Sequence, residues 1–447
     1  MMRLVTCICA LTVGASCALT MSTKPVAKST CKTGPSADIL TVFLTGNELG
    51  ALQPCGCSGG QLGGFDRRSA VFNSAPASKR LIVDTGTFVE GDSEQDIIKF
   101  NIVIQAFSLL DYDLVNLSEK DIEIAKNLGL LGSIGSVFNV ISFQSDAEAG
   151  APARFTKCLS LKEKDVSVTV AAFDAESTPI KQIGEFFPRQ SGLQTVNILI
   201  LKHCDTAIIG SIAKMGIADC LVCPAESDEP GVIGDPNERP LVVSVGRFGK
   251  YVSRLQITAA EGKDKLTYSF SPVPVTEDLP QESSLVELYR TYQQLVKEDN
   301  LLEKQPRFAL PNGLEYVGSK SCKLCHEYEY NKWSSRAHAR AYATLERLGS
   351  QYDPDCVICH VVGMKHESGF VSEEKTGNLK NVGCENCHGP GSEHIRTLGE
   401  AETTEPRSDC TDCHTPEKST NYPGNEQLYF EKIIHWREPN AVGDVKK

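Results

Sequence analysis

Cysteine and histidine recur at one fixed spacing in the last third of the chain. The pattern Cys-x-x-Cys-His occurs four times: Cys322, Cys325 and His326; Cys356, Cys359 and His360; Cys384, Cys387 and His388; Cys410, Cys413 and His414. Two thiols at this spacing reach one edge of a porphyrin and form thioethers with its vinyl groups, while the adjacent imidazole turns under the iron. The spacing predicts four covalently attached c-type haems, with His326, His360, His388 and His414 as proximal ligands. Paired Cys-x-x-Cys motifs also occur in zinc ribbons, but zinc does not require a histidine directly after every second cysteine.

The segment that must position these groups, residues 312–447, is rich in charge and poor in aliphatic residues. It has too little apolar material to bury a core alone, so the porphyrins are expected to form that core. Four haems in so short a segment lie close enough to pass electrons among themselves. The chain's formal charge is −12, to which haem propionates add. This argues against nucleic acid or an anionic membrane surface as partner and for redox partner proteins.

The chain opens on Met1-Met2-Arg3 and an apolar run, which reads as a signal peptide over residues 1–20. The run is too short to favour a membrane span. A lipid anchor at Cys17 is not favoured, because Gly14 stands where a lipoprotein box carries an aliphatic residue. Residues 21–37 read as a flexible leader. The protein is thus expected to be exported, to the periplasm or cell surface, without a transmembrane span. Outside the haem motifs and the first twenty residues lie Cys31, Cys55, Cys57, Cys158, Cys204, Cys220 and Cys223. In an oxidising compartment such thiols form disulfides. A Cys/His metal site using His203, or free buried thiols, are the alternatives.

Residues 38–275 alternate between short β-rich runs and helical spacing, which predicts a layered α/β domain. Strands are expected at 39–44, 81–84, 114–117, 137–143, 166–173, 196–201 and 220–223, and helices at 97–110 and 207–214. Runs at 241–245, 252–257 and 266–270 read as a closing antiparallel set. A helix is expected over 285–302 within a linking segment, 276–311, before the haem domain. In that domain a helix is expected over 333–348.

Several stretches of the first domain resemble the periplasmic 5′-nucleotidase branch of the calcineurin-like metallophosphoesterases. They are Phe43-Leu44-Thr45-Gly46-Asn47-Glu48-Leu49-Gly50, Gly63-Gly64-Phe65-Asp66-Arg67-Arg68, Val83-Asp84-Thr85-Gly86-Thr87, Asn116-Leu117-Ser118-Glu119-Lys120 and Val245-Gly246-Arg247-Phe248-Gly249-Lys250-Tyr251. The resemblance implies a layered α/β sandwich. It also exposes departures, since a two-metal site needs a cage of carboxylate, imidazole and amide ligands. Asn47 and Leu49 stand where the family has Asp and His, and Thr87 replaces the bridging Asp. Glu119 and Lys120 replace an Asn-His pair, and Ala225 and Ser227 replace imidazoles. Only Asp84 and His203 remain at ligand positions, so no phosphoesterase activity is expected.

The haem segment resembles the tetrahaem cytochrome family typified by the electron carrier of ammonia-oxidising bacteria. The matching stretches are Tyr316-Val317-Gly318-Ser319-Lys320-Ser321-Cys322, Trp333-Ser334-Ser335-Arg336-Ala337-His338-Ala339, Cys359-His360-Val361-Val362-Gly363, the run from Val382 to His394, and Ile433-Ile434-His435. The resemblance implies a mostly helical and irregular fold with haems in close, stacked pairs. It assigns distal iron ligation to His338, His394 and His435. With three distal histidines for four haems, one iron is left open, and the resemblance points to the haem of Cys356, Cys359 and His360. His366 is expected at the surface and Met364 in packing, each at most a weak ligand.

These readings converge on an exported multihaem c-type cytochrome that carries electrons, with a catalytically dead phosphoesterase-like domain used for docking or packing. The alternative is a haem enzyme acting on a small nitrogen or oxygen species at the open iron.

Overall fold

The computed structural model describes residues 39–54, 59–143, 154–161, 164–187, 193–224, 226–259, 265–406, 410–416, 418–419 and 421–435. The signal peptide, the leader, Cys17, Cys31, Cys55, Cys57 and Ala225 lie outside them. The chain divides into two compact units, one of residues 1–53 and 62–286, the other of residues 54–61 and 287–447.

Among the described residues, the first unit holds eleven strands in two sheets: β1 Ile39–Thr45, β2 Arg80–Asp84, β3 Leu114–Leu117, β4 Asn139–Ser142, β5 Arg154–Leu161, β6 Lys164–Phe173, β7 Gln194–Leu201, β8 Cys220–Cys223, β9 Leu241–Ser244, β10 Tyr251–Ala259 and β11 Leu266–Pro274. One sheet runs β11-β10-β1-β2-β3-β4 and the other β5-β6-β7-β8-β9. β1 pairs in parallel with β2, setting Thr45 opposite Asp84, and β2, β3 and β4 continue in parallel. Parallel strands covered on both faces read as unbroken apolar runs, as in the buried Leu40, Val42, Leu44, Leu81 and Val83. These pack with Val166, Val168, Val170, Val196 and Ile198 of the other sheet into one core.

Capping residues set the helix starts. Ser93 and Asp96 form a capping box at helix Glu94–Leu109, as do Ser118 and Asp121 at helix Glu119–Asn127. Asp205 accepts from the Ala207 and Ile208 amides at helix Thr206–Met215. Each satisfies amides that have no partner within the helix.

Several expectations need correction. Of the expected closing set, β10 and β11 form an antiparallel hairpin, while β9 pairs in parallel with β8 in the other sheet. The edge strand β5 and the helices Glu119–Asn127 and Leu131–Val137 were not anticipated. The expected helix at 285–302 spans Ser283–Glu298.

The second unit is a chain of short helical turns around a small apolar cluster that includes Leu302, Tyr342, Leu345, Val357, Val362 and Phe370. The expected helix at 333–348 is broken. Helix Glu327–Ser334 ends, Arg336 is extended, a 3-10 turn covers Ala337–Arg340, and a helix resumes at Ala341–Leu348. His338 therefore sits on the turn. No helix among the described residues is long and apolar enough to cross a membrane.

Candidate haem site

Each motif closes on itself as a single turn. The His326 amide donates to the Cys322 carbonyl (3.0 Å), and the His414 amide to that of Cys410 (2.9 Å). The third motif lies in helix Cys384–His388. A turn of this kind puts both thiols and the following imidazole on one side.

The three candidate distal histidines meet rings of the motifs. His326 and His394 have ring centres 5.9 Å apart, His338 and His414 6.3 Å, and His388 and His435 6.0 Å. Metal–imidazole bonds run about 2.0–2.1 Å, so two imidazoles on opposite sides of one metal set their ring centres about 6 Å apart. The donor sets of these three pairs therefore fit an axially ligated iron. Burial pulls the pKa of His388 down, with the neighbouring His435 and His326 adding to it. Burial does the same to His338, helped by His414 and His360. Neutral imidazole is the form that binds metal.

The thiols of different motifs also meet. Cys322 hydrogen-bonds with Cys384, and Cys413 with Cys359. The thiols of the first and third motifs are thus neighbours, as are those of the second and fourth. A cavity of about 340 Å³ is lined by His338, Cys356, Cys359, His360, Cys413 and His414, among others.

Second contacts orient these rings. His360 Nδ1 meets the Ala341 carbonyl at 2.6 Å, His394 Nδ1 the Ala401 carbonyl at 2.8 Å, and His414 Nδ1 the Ser419 hydroxyl at 3.0 Å. With Nε2 on a metal, Nδ1 carries the proton and donates, which fixes the tautomer. Met364 is buried in the apolar cluster. His366, expected at the surface, is half-buried; its Nδ1 is buried without a hydrogen-bond partner, and its ring lies 5.8 Å from that of Tyr316.

Sequence reasoning missed Glu385, which lies between the two cysteines of the third motif. It is 4 % exposed and accepts from the amides of Val317 (3.0 Å), Gly318 (2.8 Å) and Gly391 (2.8 Å). It thereby ties the approach to the first motif to the turn preceding His394. Its place within a motif, in a stretch otherwise quoted for its resemblance, was the available signal.

In the first unit the expected metal-ligand positions serve other ends. Asp84 is fully buried. Its carboxyl accepts from the Thr45 hydroxyl (2.7 Å) and the Gly86 amide (2.8 Å). Burial, reinforced by the charge of Glu48, raises its pKa well above the usual range. Glu48 forms a fully buried pair with Arg68, and Arg68 also donates to the Tyr112 hydroxyl at 3.3 Å. Lys120 pairs with Asp92 and Glu123. Cys204 and Cys223 form a disulfide, so these two thiols are not available to a Cys/His metal site with His203. Cys158 is also disulfide-bonded. Cys220 is a buried free thiol whose pKa burial pushes up to about 12. Asp174, Glu176 and His203 place one ligand atom each within 4.8 Å of the others. Asp174 is already bonded to the Glu176 amide and Lys202.

Residues 321–389, holding the first three motifs, match the family model described as cytochrome c554 and c-prime. Cytochrome c-554 of Nitrosomonas europaea is 35% identical over 91 residues, which is 17% of this chain and 39% of that protein. The chain thus spans well under half the length of this curated relative. Among solved structures, the calcineurin-like phosphoesterase YfkN from Bacillus subtilis aligns at 14% identity and a TM-score of 0.44, over 57% of this chain and 97% of that one. The 5′-nucleotidase precursor from Thermus thermophilus aligns at 18% identity and a TM-score of 0.44, over 63% of each chain.

Proposed function

We propose that this chain is an exported tetrahaem c-type cytochrome that carries electrons between redox partner proteins. The observation that supports it best is the trio of histidine pairs with ring centres 5.9 to 6.3 Å apart. His326, His360, His388 and His414 serve as proximal ligands, and His394, His435 and His338 as distal ligands to the first, third and fourth motifs in turn. These paired imidazoles would hold a haem iron on both sides in either oxidation state, and the haem would supply reversible one-electron chemistry. This chain's own work is to ligate, bury and space the groups. The thiol contacts favour a first-with-third and second-with-fourth arrangement.

In this reading the first domain hydrolyses no phosphoester and serves docking or packing. Asp84 is spent on internal hydrogen bonds, Glu119 pairs with Lys202, and Lys120 is a cation where a metal ligand belongs.

The test is a pyridine haemochrome assay with intact mass and electron paramagnetic resonance (EPR) on the full mature chain. Four haems per chain with three low-spin bis-imidazole signals support the reading. Fewer than four haems, or nucleotide hydrolysis with two bound metals, contradicts it. The enzyme alternative draws on the same placement: the three distal candidates sit against His326, His388 and His414, which directs any small-ligand chemistry to the second motif's haem. Turnover of a small nitrogen or oxygen species there would favour the enzyme.

A further inference from the structure

We propose that Ser419 is the positioning residue that sets the potential of the haem held by His414, and that Gln61, far away in sequence, holds Ser419 in place. The proposal rests on His414 being a haem ligand.

Ser419 is 6 % exposed, and its hydroxyl is 3.0 Å from His414 Nδ1. Two other iron-ligand candidates, His360 and His394, meet peptide carbonyls through Nδ1 at 2.6 and 2.8 Å. A carbonyl is a strong acceptor and pulls the Nδ1 proton, which makes the imidazole more basic and favours ferric iron. A hydroxyl pulls less. The acceptor on Nδ1 is a known lever on ligand basicity and hence on potential. Ser419 therefore gives the His414 haem an electronic setting unlike that of His360 or His394.

The serine sits on a tight turn. Its amide donates to the Thr415 carbonyl (2.8 Å), and its carbonyl accepts from the Tyr422 amide (2.9 Å). Tyr422 lays its ring against that of His414, centres 5.2 Å apart and nearly parallel. One turn thus fixes both the acceptor and the ring plane. Gln61 anchors that turn: it is 4 % exposed, and its Nε2 donates to the Lys418 carbonyl at 2.6 Å. Asn421 adds a contact to the Gly59 carbonyl at 3.4 Å. Lys418 in turn donates to the Asp355 carbonyl, next to Cys356, at 3.0 Å. Gln61 belongs to the second unit and is a strut of the fourth haem site.

The experiment is a redox titration of the full holo-protein followed by EPR, with each haem's signal resolved. The His414 haem is identified as the one whose low-spin signal disappears in His338→Ala. Ser419→Ala removes the acceptor and is expected to move that haem alone to higher potential. Ser419→Asp is expected to move it lower, and Ser419→Thr to leave it near the wild-type value. Opposite shifts are the signature that mere loosening of the turn does not produce. Gln61→Ala is expected to move the same haem upward, and to add little in the Ser419→Ala background. No shift in any haem, or equal shifts in all four, overturns the role of Ser419. An undiminished Gln61→Ala shift in the Ser419→Ala background overturns the role of Gln61. Failure of the underlying haem reading looks different: His338→Ala then removes no low-spin signal.

Discussion

The rings of His326 and His394 lie 5.9 Å apart and 26° from parallel, although one closes the first motif and the other follows the Gly-Pro-Gly turn after the third. Nothing local joins them. Glu385 does so indirectly, through amides on both approaches.

Glu385→Ala is expected to lower the stability of the haem unit. Three amides lose their acceptor, two of them buried, at about 1–3 kcal/mol for each buried group left unsatisfied. The thermal midpoint should fall, and the low-spin EPR signal of the His326/His394 haem should broaden or lose intensity relative to the other two.

His394→Ala is expected to convert one six-coordinate haem to high-spin without loss of haem, since both thioethers remain. Carbon monoxide uptake by the ferrous protein should rise by one equivalent per chain. Unchanged uptake would show that His394 does not ligate.

In the unaltered protein, carbon monoxide is expected to bind one haem per chain. The three distal candidates are placed against His326, His388 and His414, so the second motif's iron takes the ligand. Loss of this binding in Cys356→Ser with Cys359→Ser, alongside loss of one haem, identifies it. Binding to none of the four would bring His366, half-buried with an unpartnered Nδ1, forward as the fourth distal ligand.

Arg68→Met is expected to destabilise the first unit by about 3–5 kcal/mol, because it strands the buried Glu48 charge. Adding Glu48→Gln should restore much of the loss. Hydrogen-exchange protection of the β1 and β2 amides measures both.

Asp84 gives a pH dependence of known sign. Its folded pKa is raised above the ordinary 3.8 by burial and by Glu48. Between the unfolded and folded values the unfolded chain has lost this proton and the folded chain has kept it. Stability from this group therefore falls as pH rises from about 4 toward the folded pKa. Asp84→Asn keeps the shape and cannot ionise, so its gain in β1–β2 protection over wild type should be larger at pH 7 than at pH 4.

The haem chemistry was legible in the sequence because thioether attachment is local: five consecutive residues carry it. The candidate distal histidines were suggested only through resemblance, since a lone imidazole such as His435 has no local signature. Which motif ring each one meets needed the fold. The four-residue β9 was misassigned because a short apolar run has no period and no direction. The helix expected over 333–348 broke at Arg336 because tertiary contacts outweighed propensity. The Trp333 indole donates to the Val382 carbonyl at 2.9 Å, and the Val382 amide returns to the His338 carbonyl at 3.1 Å.

The hydrogen bond from Gln61 to Lys418 bears on how this chain can be divided and in what order it is completed. The second unit is discontinuous, because it includes residues 54–61 as well as 287–447. A fragment cut within the helix Ser283–Glu298 would hold all four motifs yet lack the strut under the last of them. During synthesis the strut emerges early and waits for the turn it supports, a closure of high sequence separation that forms slowly. A two-fragment complement would therefore have to supply segment 54–61 in trans.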